Sequence, residues 1–109
     1  MKLLIVGSRS IINFDLSPYV PLETDTIISG GACGIDTLAE QYADKHGLEK
    51  IVVRPQYDRY RRAAPLKRNE QMVDMADEVL VIWDGVSKGS QYTIRYGRRM
   101  GKPVRVISI

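Results

Sequence analysis

Five short runs rich in Val, Ile and Leu recur along the chain, and the segments between them follow a different period. The runs are KLLIVG (Lys2–Gly7), TDTIIS (Thr24–Ser29), KIVVR (Lys50–Arg54), EVLVIW (Glu78–Trp83) and VRVIS (Val104–Ser108). Short, nearly continuous apolar runs closed by glycine or proline read as strands buried on both faces. After the second run, Ile35, Leu38, Ala39, Tyr42, Ala43 and His46 recur at helical spacing, and Gly47 fits a C-terminal cap. After the third, YDRYRRAAPLKRNEQMVDMAD (Tyr57–Asp77) opens as a basic loop and continues as a helix with Pro65 in its first turn. Leu66, Asn69, Met72, Val73 and Ala76 share the inner face of that helix. After the fourth, KGSQYTIRYGRRMGKP (Lys88–Pro103) reads as a helix with Ile94, Gly97 and Met100 inward, stopped by Gly101 and Pro103. Residues 10–24 are irregular, because Pro18 and Pro21 oppose a long helix.

Strands alternating with helices predict an α/β fold: a five-stranded parallel sheet covered on both faces, with right-handed crossovers. The 109 residues fit one domain, and no repeat or linker divides them. No apolar run is long enough to span a membrane. MKLLIV resembles the start of a leader, but it stops at Gly7-Ser8-Arg9 and reads as a strand. Cys33 is the single cysteine, which excludes an internal disulfide, fits a reducing compartment and predicts a cytoplasmic protein.

The net charge of +3 is unevenly spread. Residues 1–53 carry 4 Lys/Arg and 7 Asp/Glu, whereas residues 54–109 carry 12 and 6. No Asp or Glu follows Asp84. A basic second half suits a phosphate-bearing partner, and equally a solvated helix face with acids nearby.

Ligands of open parallel sheets bind beyond the carboxyl ends of the strands. Three loops leave those ends with glycine or hydroxyl residues: GSRS after the first strand, SGGACG after the second and DGVSKGS after the fourth. Glycine lets backbone N–H groups approach an anion, and the following helix adds a partial positive charge. Ser8, Ser87 and Ser90 add hydroxyls, and Arg9 adds a guanidinium fork suited to phosphate. Asp36 has two readings. It stabilises the first turn of its own helix through the dipole, or it accepts from a ribose, an amine or a neighbouring loop.

The set VGSR (Val6–Arg9), SGGACGIDTLAEQYADKHG (Ser29–Gly47), AAPLKRNEQM (Ala63–Met72), ADEVLVIWDG (Ala76–Gly85), SKGS (Ser87–Ser90) and GKPVRVI (Gly101–Ile107) resembles the SLOG superfamily. Its Rossmann-like members include the Lonely guy phosphoribohydrolases and the DNA-processing protein DprA. The nearest likeness is to the small stand-alone YspA-type branch. The resemblance implies a single Rossmann-like three-layer α/β/α domain over residues 1–109. It also implies a nucleotide or nucleotide-derived ligand at the carboxyl edge of the sheet. Gly7, Ser8 and Arg9 would line the floor, and Gly30, Gly31 and Gly34 one wall. Arg68 and Asn69 fall on the family's RN motif, with the arginine facing the ligand, and Gly85, Ser87, Gly89 and Ser90 fall on its phosphate-binding turn. The family also implies a homodimer or higher homo-oligomer.

One departure bears on catalysis. Hydrolase members carry PGG-x-GT-x-x-E, and aligning Gly89-Ser90 with GT puts Thr93 at the glutamate. Cleaving an N-glycosidic bond builds positive charge that a carboxylate would stabilise, and threonine cannot. The sequence therefore leaves catalysis undecided and names no catalytic residue. Asp36 and Asp84 are the remaining carboxylates that would have to substitute.

Cys33, near a helix start, reads as a small side chain filling a tight loop rather than a nucleophile. His46 reads as a partly buried residue near a helix end. One His and one Cys predict no zinc site, and nothing in the sequence calls for a cofactor. YDRYRR (Tyr57–Arg62) has three readings: a surface for stacked bases, a cover for one base, or a solvated loop. The leading expectation is nucleotide binding, as a sensor or part of a nucleotide-linked signalling system. The alternatives are a nucleotide hydrolase with a non-standard site and a DprA-like module for single-stranded DNA.

Overall fold

A computed structural model describes all 109 residues. The strands are β1 (Lys2–Gly7), β2 (Thr26–Ser29), β3 (Glu49–Val52), β4 (Glu78–Trp83) and β5 (Val104–Ser108). They form one all-parallel sheet in the order β3-β2-β1-β4-β5. The helices are α1 (Ile35–Lys45), α2 (Tyr57–Tyr60), α3 (Ala64–Met75) and α4 (Lys88–Arg99). This is the predicted Rossmann-like α/β domain. No helix is long and apolar enough to cross a membrane.

Alternation along the strands divides the core in two. Leu3, Ile5, Ile27, Leu80 and Ile82 face α1, meeting Ile35, Ala39 and Ala43. Leu4, Val6, Ile28, Val79 and Val81 face the other way, against Met72, Val73 and Ala76 of α3 and Ile94 of α4. The side-chain period of two puts neighbours on opposite faces, so strands this apolar need cover on both.

The connection between β1 and β2 holds only a 3-10 turn at Ser17–Tyr19. Five of its apolar residues nevertheless fold onto the α1 side, with Ile11 and Leu16 buried and Phe14, Tyr19 and Val20 packed beside them, while Ile12 and Leu22 stay exposed. Phe14 stacks on Tyr19 at 5.7 Å, and the Arg105 guanidinium lies 5.3 Å from the Tyr19 ring centre. A folded-back loop thus takes the place a helix would occupy.

Four local readings need correction. Tyr57–Ala63 is not a plain basic loop but the single turn α2 followed by a 3-10 turn, entered at Arg61 with φ 52°. Leu66 is exposed rather than inward, because the first turn of α3 overhangs the rim of a cleft at the carboxyl edge of the sheet. Met100 is exposed because it caps the end of α4. His46 is exposed as the C-cap of α1, its ring 4.1 Å from that of Tyr42.

Candidate functional site

The chain leaves β1 for β2 on one side and reaches β4 and β5 on the other, so the connections diverge between β1 and β4. Parallel sheets open a crevice at such a point, at the carboxyl ends of the strands. Here it is a cleft of about 350 Å3, bounded by the loops after β1 and β4, the start of α4 and the first half of α3.

The loop after β1 is tied to β4. The Ser8 N–H donates to the Ile82 carbonyl at 3.2 Å, and the buried Ser8 hydroxyl accepts from the Asp84 N–H at 3.3 Å. Ile35 of α1 lies so close over Gly7 that a Cβ there would come within 2.5 Å of its Cγ1. The loop after β2 is held by Asp36, whose carboxylate accepts from the Ala32 N–H at 3.1 Å. Gly34 sits at φ 74° and ψ −127° against the backbone of the first loop. A Cβ there would lie 2.5 Å from the Arg9 carbonyl oxygen and 2.6 Å from that of Ser8.

The loop after β4 carries the opening of α4. Asp84 accepts from the Val86 and Ser87 N–H groups, both at 2.9 Å, and these bonds hold its carboxyl below the usual range. The Trp83 indole N–H donates to the Ser87 carbonyl at 3.0 Å. Ser87 has the extended backbone of an N-cap, φ −63° and ψ 117°, yet its hydroxyl makes no capping bond. The first amides of a helix have no partner inside it, so this first turn keeps open donors. Ser90, only 5 % exposed, lines the cleft with a hydroxyl that makes no hydrogen bond within the protein. Thr93, at the position aligned with the hydrolase glutamate, donates to the Gly89 carbonyl of its own helix at 3.0 Å.

Arg68 and Asn69 face this turn from α3, both buried. The Arg68 guanidinium donates to the Gly30 carbonyl at 2.6 Å, the Val53 carbonyl at 3.4 Å and Asn69 Oδ1 at 2.9 Å. That last bond fixes the Asn69 amide with its N–H groups uncommitted beside Gly89.

No family model matches the chain. Nor does any curated protein or solved structure. The residues of the fold and the cleft are therefore what bears on function.

Of the residues the sequence singled out, Gly7, Ser8, Arg9, Asp36, Arg68, Asn69, Ser87, Gly89 and Ser90 line the cleft together. Gly30 and Gly31 line an adjoining cleft, in which Arg9 and Arg68 also take part. Gly34 and Gly85 line neither. Gly34 is instead a packing contact between two loops, and Gly85, at φ 86°, makes the turn before α4. Sequence reasoning misses Arg54, which enters the second cleft from the end of β3. Its signal is a basic residue two positions beyond the carboxyl end of a strand, as Arg9 is beyond β1. No group of three or more His, Cys, Asp or Glu is placed to hold a metal ion.

Burial pushes the Asp36 carboxyl above the usual carboxylate range, while the Ala32 N–H and the Arg68 charge oppose the shift. Burial likewise lowers the pKa of Arg68, Asp36 opposing and Arg9 adding to the effect. A carboxyl with a raised folded pKa binds more protons folded than unfolded between the two values. Its contribution to stability therefore falls as pH rises from about 4 through the folded value, and is level above it. Urea unfolding of wild type and Asp36→Asn from about pH 4 to pH 8 should show this fall in the difference between them. A difference that rises with pH would mean that Arg68 outweighs burial.

Proposed function

We propose that the cleft binds the phosphate of a nucleotide or nucleotide-derived ligand at the first turn of α4, as the SLOG-like motifs imply. The observation that carries this reading is the uncapped α4 N-terminus, with the unpartnered Ser90 hydroxyl in its first turn and the uncommitted Asn69 amide facing it. Open amides and a helix dipole favour an anion, and two buried side chains with spare donors supply further bonds to it. Asp84, spent on its own loop amides, keeps that loop in shape. Ser8, Arg9 and Asp36 border the rest of the cleft, where a sugar hydroxyl would find an acceptor in Asp36 and a donor in Arg9.

The test is thermal shift and calorimetry with nucleoside mono- and diphosphates, ribose 5-phosphate, NAD and ADP-ribose. Absence of stabilisation by every one of them would remove the reading. Ser87→Asp sharpens it. A carboxylate at an N-cap whose backbone is already suited to capping should stabilise the free protein by about 0.5–1 kcal/mol. The same charge should weaken phosphate binding by about tenfold or more. If Ser87→Asp left affinity unchanged, the phosphate would not lie at α4.

A second reading, hydrolysis of the bound nucleotide, draws on a specific feature. The cleft holds two carboxyls shifted in opposite directions, Asp36 up and Asp84 down. Such a pair can divide acid and anionic roles. Released base on incubation with nucleotides, abolished by Asp36→Asn, would establish it. Nucleotide recovered intact would dismiss it.

A further inference from the structure

The second cleft, of about 370 Å3, opens beside the first and shares Arg9, Ala32 and Arg68 with it. Three guanidinium side chains line it, from Arg9, Arg54 and Arg68, and no Asp or Glu does. The ion pairs of the protein join Met1 to Asp25, Lys50 to Asp44 and Lys67 to Glu70, so none of the three arginines is in direct ion-pair contact, and the nearby Asp36 offsets part of the charge of Arg68. Arg68 is committed to the Gly30 carbonyl and Asn69. Arg54 makes one long bond, 3.4 Å to the Gly31 carbonyl, and the exposed Arg9 side chain makes none. The charge of Arg9 disfavours protonation of Arg68, so the like charges are close enough to oppose one another. Like charges that outnumber the carboxylate beside them are unfavourable to gather, and an anion entering between them relieves the repulsion. Two free forks suit the several oxygens of a phosphoryl group. Tyr57 borders the same cleft with its ring half exposed.

We propose that the second cleft is a subsite for a second phosphoryl group, so that the ligand is a nucleoside bisphosphate with its two phosphates on opposite sides of the Arg9–Arg68 wall. This rests on the phosphate reading of the first cleft. Adjacent phosphates, as in a 5′-diphosphate, would crowd into the first cleft. Groups on separate carbons of the ribose would reach both.

The experiment is calorimetry with the nucleoside 5′-monophosphates, 5′-diphosphates and 3′,5′-bisphosphates of all four bases, and with a monophosphate plus inorganic phosphate. The 3′,5′-bisphosphate of the preferred base should bind about 10- to 100-fold tighter than its 5′-monophosphate, the range expected of added charged hydrogen bonds. Arg54→Gln should erase that advantage and leave the 5′-monophosphate affinity as it was, with Arg54→Lys falling between. Because Arg54 is exposed, the variant should melt with the wild type. Equal affinity for mono- and bisphosphate would overturn the proposal. So would an Arg54→Gln variant that weakens both ligands alike, or inorganic phosphate that fills the Arg54 site while the bisphosphate gains nothing. Failure of the first-cleft reading looks different, since then no monophosphate binds at all.

Discussion

Replacing Gly34 with alanine is expected to cost the fold at least about 3 kcal/mol, against the roughly 5–15 kcal/mol that holds a domain of this size. Two effects combine at this position. The backbone at φ 74° and ψ −127° is one that L-residues rarely adopt. The added methyl would also lie 2.5 Å from the Arg9 carbonyl oxygen and 2.6 Å from that of Ser8, atoms that cannot swing aside as a side chain can. Gly47→Ala separates the two effects. Gly47 has φ 66° but open space where the Cβ would go, so it bears the conformational cost alone, about 1–2 kcal/mol. Urea midpoints of the two variants should differ by the clash together with the less favourable ψ at Gly34. Equal midpoints would mean that the loops after β1 and β2 yield, and that their spacing does not define the cleft.

Arg68→Met should be nearly as damaging, at about 3–5 kcal/mol near neutral pH. Methionine fills much of the same volume but strands the groups that Arg68 satisfies. The Gly30 carbonyl loses its 2.6 Å bond, Asn69 loses its orientation, and the buried Asp36 loses the nearby charge that offsets its burial. The loss has an internal check. With Asp36→Asn already present, no buried charge is left behind, so Arg68→Met should cost less in that background. A double-mutant cycle reads the difference. Strictly additive costs would show that the two side chains act independently and that Arg68 serves only its hydrogen-bond acceptors, the Gly30 and Val53 carbonyls and Asn69. On the proposed function, nucleotide affinity should also fall in Arg68→Met, since the Asn69 amide would no longer be held toward α4.

What the sequence reveals here depends on the range of each interaction. The five strands are legible because each is a local apolar run, and α1 because Ala39 and Ala43 repeat at its own period. The convergence of Ser8, Asp36 and Ser90 is legible because parallel strands put all their carboxyl ends on one edge, whereas Asn69, inside α3, is singled out only by the resemblance of its RN motif. The single turn α2 is too short to leave a period. Leu66 and Met100 follow the period of their helices, but lie at helix ends where the sheet no longer covers them. Gly34 reads as a ligand contact because its true neighbours, Ser8 and Arg9, are remote in sequence and offer backbone rather than side chain. Arg54 escapes notice because in sequence it is only the last residue of a strand run. Its partners Arg9 and Arg68 arrive from β1 and α3.

The position of β1 has a consequence for the order of assembly. Its first pairing joins Leu3 to Ile27, close by in the chain, whereas its second joins Leu3 to Glu78 and Gly7 to Ile82. Closing a long loop before any contact rewards it makes such a pairing slow. The crevice is the seam along which these two parts of the chain meet. A partly folded molecule that has joined β1 to β2 but not to β4 would have half a sheet, but not the cleft in which a phosphate is proposed to bind. On the proposed function, ligand capture during refolding would therefore time the completion of the β1–β4 strand pair, not the first collapse.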